Sequence, residues 1–152
     1  MTKRLPTLFL SHGSPMHAIE AGAAGRAWAA LGRTLPRPRA AVVASAHWET
    51  SVPMLTGNPH PSTIHDFGGF PSELYDLRYP AQGAPEIAAR AVALLKQAGV
   101  TAGIDGCRGL DHGAWVPLMH VWPDHDVPVV QVSLQPGLGC RDHAELDLVA
   151  QE

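Results

Sequence analysis

Two histidines in this sequence stand directly after short apolar runs. His12 follows "LFLS" and His47 follows "VVASA", and both runs are typical of buried β-strands. In open α/β sheets, ligands bind beyond the carboxyl ends of the strands, so two such imidazoles can meet at one point. Imidazole is the commonest metal ligand in proteins. The spacing is compatible with a metal site held by His12 and His47, but a pair of strand-end histidines is not a specific signal on its own.

The residues after His12 interrupt regular structure at once. Gly13 lets the backbone approach a ligand closely, and Pro15 restricts the backbone of the same loop. The sequence therefore predicts a tight turn that holds His12 at the edge of a site.

Two further histidines are candidates for proton transfer. His65 precedes Asp66 in a long loop, and His112 follows Asp111, a predicted helix N-cap. A histidine at the mouth of a site can donate or accept a proton during catalysis. The alternative for His112 is a ring that is bonded to local backbone. The remaining histidines are predicted to be structural or exposed: His17, His60, His120, His125 and His143.

The elements that must position these side chains alternate between strands and helices. The predicted strands are 6–12, 39–48, 101–105 and 128–134, and the predicted helices are 22–33 and 84–100. Such alternation predicts an α/β fold with a central, mainly parallel sheet flanked by helices. The length of 152 residues suits a single domain. We expect the metal cleft at the carboxyl ends of the strands.

Residues 49–83 are rich in proline, glycine, histidine and aromatic residues. A long irregular segment inside a compact domain is typical of a binding or active-site loop, and the alternative is an ordinary surface excursion. Five aromatic residues could line a pocket for an aromatic ring, although aromatic side chains also form plain core. These residues are Trp48, Phe67, Phe70, Tyr75 and Trp115.

Composition argues against several classes of partner. The formal charge of −3 arises from 11 basic and 14 acidic residues that are mixed along the chain, so no basic stripe suggests nucleic-acid binding. The apolar run near the N-terminus is too short for a signal peptide or a membrane span, which predicts a cytoplasmic protein without a membrane partner. Cys107 and Cys140 form no CxxC pair, so neither a disulfide framework nor a cysteine-rich zinc site is expected.

Five segments of the chain, in order, resemble motifs of the class III extradiol ring-cleavage dioxygenases, in particular their DOPA-dioxygenase branch. This resemblance implies an α/β domain that holds one divalent metal, iron(II) or zinc, in a cleft at the strand ends. The segments are "SHGSP", "SAHWET", "IHDFGGFPSELYDLRYP", "GLDHGAWVPL" and "PVVQVSLQPGLG".

The resemblance also implies roles for the four histidines. His12 and His47 match the first two metal ligands, His112 matches an active-site histidine near the substrate, and His65 lies in a loop that approaches the same cleft. The implied reaction opens a catechol such as DOPA beside its two hydroxyls, with O2 as co-substrate. Neutral imidazoles with an open coordination face suit such a metal, and a nearby histidine can take a catechol proton.

The chain departs from the family after the segment that matches "LQPGLG". In the family, further histidines follow there and complete the site, whereas this chain ends at Glu152 without them. We therefore expect a domain that lacks its C-terminal part and has an unfinished sheet edge, which would favour homo-oligomers.

Two alternatives to the dioxygenase remain open from the sequence. A zinc hydrolase could use the same histidines, because zinc lowers the pKa of a bound water. An inactive binding domain could have kept the fold without the activity. A serine hydrolase is disfavoured because no GxSxG motif surrounds Ser14, Ser45 or Ser133.

Overall fold

The structure, a computed structural model, describes residues 5–137 of the chain. A short 3₁₀ turn at Pro15–Ala18 precedes the first α-helix. The helices are α1 (Gly22–Thr34), α2 (Ser72–Asp76), α3 (Pro85–Gln97) and α4 (His112–Val121), and the strands are β1 (Ala41–Glu49), β2 (Met54–Thr56), β3 (Gly103–Asp105) and β4 (Val129–Leu134).

The strands form a four-stranded sheet in the order β1-β4-β2-β3. β1 runs parallel to β4, and β2 runs parallel to β3. The pairing of Leu55 in β2 with Val132 in β4 is antiparallel. The predicted α/β fold, with a mainly parallel sheet flanked by helices, is confirmed.

Helices cover both faces of this sheet. Val129 packs with the apolar side chains of α1 and α4, whereas Val130 packs with those of α3. Successive side chains of a strand point to opposite faces, so β4 contributes to both cores. On α3, the buried residues Ala88, Val92 and Leu95 recur at helical spacing and form the stripe that faces the sheet.

Helix α4 is buried around most of its circumference. It packs against α1 on one side and β1 on the other, and the side chains from Ala114 to Leu118 are all buried. Because α4 begins at His112, this packing fixes that histidine beside the end of β1.

The predicted strand at 6–12 is wrong. Residues 5–14 are irregular, and none of the described strands pairs with them. Phe9 is 94% exposed and Leu8 is also exposed, while Leu10 packs against the core of α1 and α4. A strand needs a ladder partner as well as an apolar run, and this segment lacks such a partner among residues 5–137.

The other predicted elements are present in the structure. The segments 39–48, 101–105 and 128–134 contain β1, β3 and β4, and the two predicted helices contain α1 and α3. The segment 49–83 is not wholly irregular, because it contains β2 and α2. Both elements are too short to show a periodic pattern in sequence.

None of the helices within residues 5–137 is long and apolar enough to cross a bilayer. Cys107 is an exposed free thiol. Cys140, His143 and the expectations about the chain's C-terminal end lie outside the described residues.

Candidate metal centre

Three imidazoles converge near the carboxyl end of β1. His12, His47 and His112 each offer one ring nitrogen, and these atoms all lie within 4.8 Å of one another. Nε2 of His12 lies 2.9 Å from Nε2 of His47. Two nitrogens that bind one zinc ion at about 2.1 Å lie about 3–4 Å apart, so His12 and His47 fit a single divalent ion after a small adjustment, with the His112 ring beside it.

A glycine allows β1 and α4 to approach this closely. A Cβ atom at Gly113 would lie 2.5 Å from the Ser45 hydroxyl and 3.0 Å from Cδ2 of His47. A larger residue would push the start of α4 away from β1. Gly113 therefore permits the ring centroids of His47 and His112 to lie 4.0 Å apart.

The loop that carries His12 is anchored to α4. Gly13 has a φ of +61°, and Pro15 is buried at the start of the 3₁₀ turn, as the predicted tight turn requires. The backbone N–H of Met16 donates to the Ser14 hydroxyl at 3.2 Å. Nε2 of His120 in α4 donates to the backbone carbonyl of His17 at 2.7 Å. These contacts hold the irregular segment beside the other two imidazoles.

The surroundings of His12 favour its neutral form. Desolvation lowers its pKa, and the neighbouring rings of His112 and His47 lower it further. A neutral imidazole has a free lone pair on one nitrogen, which is the form that binds a metal.

The carboxylate of Asp66 lies against both His47 and His112. The backbone N–H of His112 donates to its Oδ1 at 2.9 Å, and Nδ1 of the same histidine lies 3.0 Å from that oxygen. Nδ1 of His47 lies 3.5 Å from Oδ2. Partial burial raises the pKa of Asp66, but the contacts from His112 outweigh this effect and hold the pKa below its ordinary value.

In the sequence, Asp66 stands out only as the neighbour of His65. The signal that could have singled it out is its chemistry, because carboxylates commonly orient the histidines of metal sites. The aspartate that the sequence favoured as a helix cap was Asp111 instead.

His65 is not part of the converging set. Its Nε2 donates to the backbone carbonyl of Leu77 at 3.1 Å, so one ring nitrogen is committed to the loop. The His65 ring also contacts the rings of Phe67, Tyr75 and Trp115.

The aromatic residues that were predicted to line a pocket divide into two groups. The Phe67 ring stands edge-on to the His112 ring with 5.6 Å between centroids, and it contacts Phe70 and Tyr75. Trp115 is fully buried in the core, and Trp48 is buried beneath the guanidinium of Arg108. Phe67 is thus the one of these five residues with a described ring contact to a converging histidine.

A buried polar network joins the elements that carry the site. The fully buried carboxylate of Asp111 accepts hydrogen bonds from the Ser45 hydroxyl at 2.6 Å and from the side-chain amide of Gln131. Nη2 of Arg108 donates to it at 3.2 Å. Asp111 stands at the N-cap position of α4, but its side chain makes no capping hydrogen bond. The carboxylate instead ties the start of α4 to β1 and β4.

Comparison with known proteins gives consistent matches. Residues 6–147 match the family described as the catalytic LigB subunit of aromatic ring-opening dioxygenase. The chain is 48% identical over 143 residues to 4,5-DOPA dioxygenase extradiol of Escherichia coli K12, an alignment that covers 94% of this chain and 52% of that protein. It is 43% identical over 144 residues to the protein of the same name from Beta vulgaris, covering 92% of this chain and 54% of that protein.

A solved structure is also similar. The crystal structure of an uncharacterized protein from Escherichia coli K12 matches with a TM-score of 0.58 and 40% sequence identity, over 74% of this chain and 41% of that chain. The chain spans about half the length of the curated relatives that it matches.

Proposed function

Because the chain belongs to the family of catalytic LigB subunits of aromatic ring-opening dioxygenases, we propose that it takes part in extradiol cleavage of a catechol by O2. The observation that carries the proposal is the convergence of three imidazole nitrogens within 4.8 Å. DOPA is the first substrate to test, since the relatives from E. coli and B. vulgaris are named as 4,5-DOPA dioxygenases.

His12 and His47 are the proposed metal ligands. Their Nε2 atoms already lie at nearly the spacing of two ligands of one ion, and the lowered pKa of His12 favours its neutral form. The proposed ion is iron(II), because zinc has no redox chemistry to offer O2. When bound, the metal would supply a centre that binds both the catechol oxygens and O2.

His112 is the proposed proton acceptor for a catechol hydroxyl. It is only 5% exposed, and Nδ1 lies 3.0 Å from the Asp66 carboxylate, which orients the ring for proton transfer. The Phe67 ring beside His112 offers an apolar wall for the substrate ring.

His65 receives a supporting role in this proposal. Its hydrogen bond to the Leu77 carbonyl and its edge-to-face contact with Phe67 hold the aromatic wall in place. We also place the protein in the cytoplasm, where the exposed thiol of Cys107 would stay reduced. Neither of the curated relatives described above is named as a hydrolase, so the zinc hydrolase hypothesis gains no support.

Oxygen uptake with loaded metal tests this function. The chain is purified anaerobically, loaded with iron(II) and mixed with DOPA, while oxygen consumption and the yellow ring-opened product are followed. We expect DOPA-dependent uptake that falls by more than about 100-fold in His12→Ala and in His47→Ala, because each change removes a ligand. His60→Ala is the matched control, since His60 is exposed and is not one of the three converging rings.

Two results would contradict the proposal. The first is uptake that survives both ligand variants. The second is an iron-loaded wild-type chain that consumes no oxygen with DOPA or with another catechol.

A further inference from the structure

The carboxylate of Asp66 contacts two imidazoles of the site, those of His47 and His112. Its Oδ1 atom receives the backbone N–H of His112 and lies 3.0 Å from the Nδ1 atom of that residue. Its Oδ2 atom lies 3.5 Å from Nδ1 of His47. The side chain of Asp66 is 23% exposed, so water screens these contacts only in part.

The His112 ring has Asp66 as its nearest described carboxylate. Its Nδ1 atom is buried and makes no hydrogen bond of regular geometry, although the distance to Oδ1 is that of a hydrogen bond. Buried polar atoms of proteins rarely remain unpaired. A small rotation of the ring would align its Nδ1–H with the carboxylate.

The backbone around Asp66 holds the carboxylate in this place. The N–H of Ile64 donates to the carbonyl of Leu110 at 2.8 Å, and the indole N–H of Trp115 donates to the carbonyl of Ile64 at 2.9 Å. Both partners lie within four residues of His112 in sequence. The loop that bears Asp66 is therefore attached to the same segment that bears His112.

We propose that Asp66 is a positioning residue that fixes the tautomer of His47 and His112. A carboxylate only accepts hydrogen bonds, so it places the single proton of each neutral ring on Nδ1. The Nε2 atom of each ring then keeps its lone pair, and that of His47 lies 2.9 Å from Nε2 of His12. This inference rests on the proposed function, because the tautomer matters only if these nitrogens serve a metal and a substrate.

The variant Asp66→Asn tests this proposal most directly. The asparagine oxygen can still accept the His112 backbone N–H, which preserves the loop attachment. Its NH₂ group then replaces Oδ2 and faces Nδ1 of His47 with a donor. The His47 proton should move to Nε2, where it blocks coordination by that atom.

Two measurements follow this change. Long-range ¹H–¹⁵N NMR of the metal-free protein, at a pH where the rings are neutral, reports which nitrogen of each ring carries the proton. Titration with Zn²⁺ alone reports metal affinity without requiring activity. We expect Nδ1–H for both rings in the wild type, Nε2–H for His47 in Asp66→Asn, and a Zn²⁺ dissociation constant raised by about 10–100-fold.

The controls separate this inference from simple loss of structure. Asp76→Asn changes an exposed carboxylate on α2 and should alter neither the tautomers nor the zinc affinity. Asp66→Ala removes both acceptors without adding a donor, so it should release both rings from Nδ1–H. Thermal unfolding of each variant reports whether the fold is kept.

The inference is overturned if His47 and His112 keep Nδ1–H in both Asp66 variants, or if zinc affinity is unchanged in both. A wild-type chain that binds no Zn²⁺ would instead contradict the proposed metal site. In that case the NMR result would still decide whether Asp66 sets the tautomers.

Discussion

At the scale of single residues, His112 and His65 have the same side chain in different surroundings. The ring of His112 is buried at the start of α4 and lies beside His12 and His47. Nε2 of His65 donates a hydrogen bond to the backbone carbonyl of Leu77. Sequence alone offered both as proton-transfer residues, and their contacts now predict different effects when each is replaced.

Replacement by glutamine tests this difference. His112→Gln should lower kcat/KM for DOPA-dependent oxygen uptake by about 10²–10⁴-fold, because glutamine cannot accept a proton at neutral pH. His65→Gln should retain uptake within about threefold, since its amide can still donate to Leu77. Metal content after gel filtration should match the wild type in both variants. Equal losses of uptake would contradict the assignment of His112.

At the scale of elements, α1 lies directly on the C-terminal end of α4. A Cβ atom at Gly32 would come 2.0 Å from the backbone carbonyl oxygen of Val121. The close approach depends on the absence of a side chain at this position. The contact between α1 and α4 also helps to place the candidate site, because α4 carries His112 at its N-terminal end.

Gly32→Ala should therefore lower the free energy of unfolding by roughly 1–3 kcal/mol, since backbone must move to relieve the overlap. Alanine is intrinsically favoured over glycine in a helix by about 1 kcal/mol, so helix propensity alone predicts the opposite sign. Gly106→Ala is the matched control, because nothing lies within 4 Å of a Cβ atom there. Urea unfolding followed by circular dichroism measures both, and a more stable Gly32→Ala protein would refute the close contact.

At the scale of the whole molecule, the sheet has β1 at one edge and β3 at the other within the described residues. Val42 on β1 is 49% exposed and Ile104 on β3 is 43% exposed. Phe9, in the irregular segment before α1, is 94% exposed. Open strand edges with apolar side chains are prone to pair with other chains.

We expect the chain to self-associate through the β1 edge as its concentration rises, because β1 (Ala41–Glu49) is a much longer edge strand than β3 (Gly103–Asp105). Val42→Lys should shift the population toward monomer, because a charge on an edge strand opposes pairing. Ile104→Lys makes the same change on the opposite edge and should leave the association unchanged. Light scattering after gel filtration, at several concentrations, gives the masses. A monomeric wild type, or a monomer produced equally by both variants, would contradict this prediction.

Much of the architecture follows from local pattern. The apolar stripe of Ala88, Val92 and Leu95 predicts α3, and the valine-rich runs predict β1 and β4. The same local reasoning failed at 6–12, because an apolar run reveals a strand only when another strand edge is available to it. Pairing of that kind is a property of the folded chain.

The α/β class, the tight turn after His12, the family and the candidate histidines could all be predicted from the sequence, because short-range periodicity, turn chemistry and motif order carry that information. The contact of Asp66 with His112, 46 positions away, and the hydrogen bond between Asp111 and Ser45, 66 positions apart, are seen in the folded chain alone. Such contacts depend on how β1, α4 and the long loop pack together. Local pattern cannot report them, since the strength of a hydrogen bond depends on distance in space and is independent of separation along the chain.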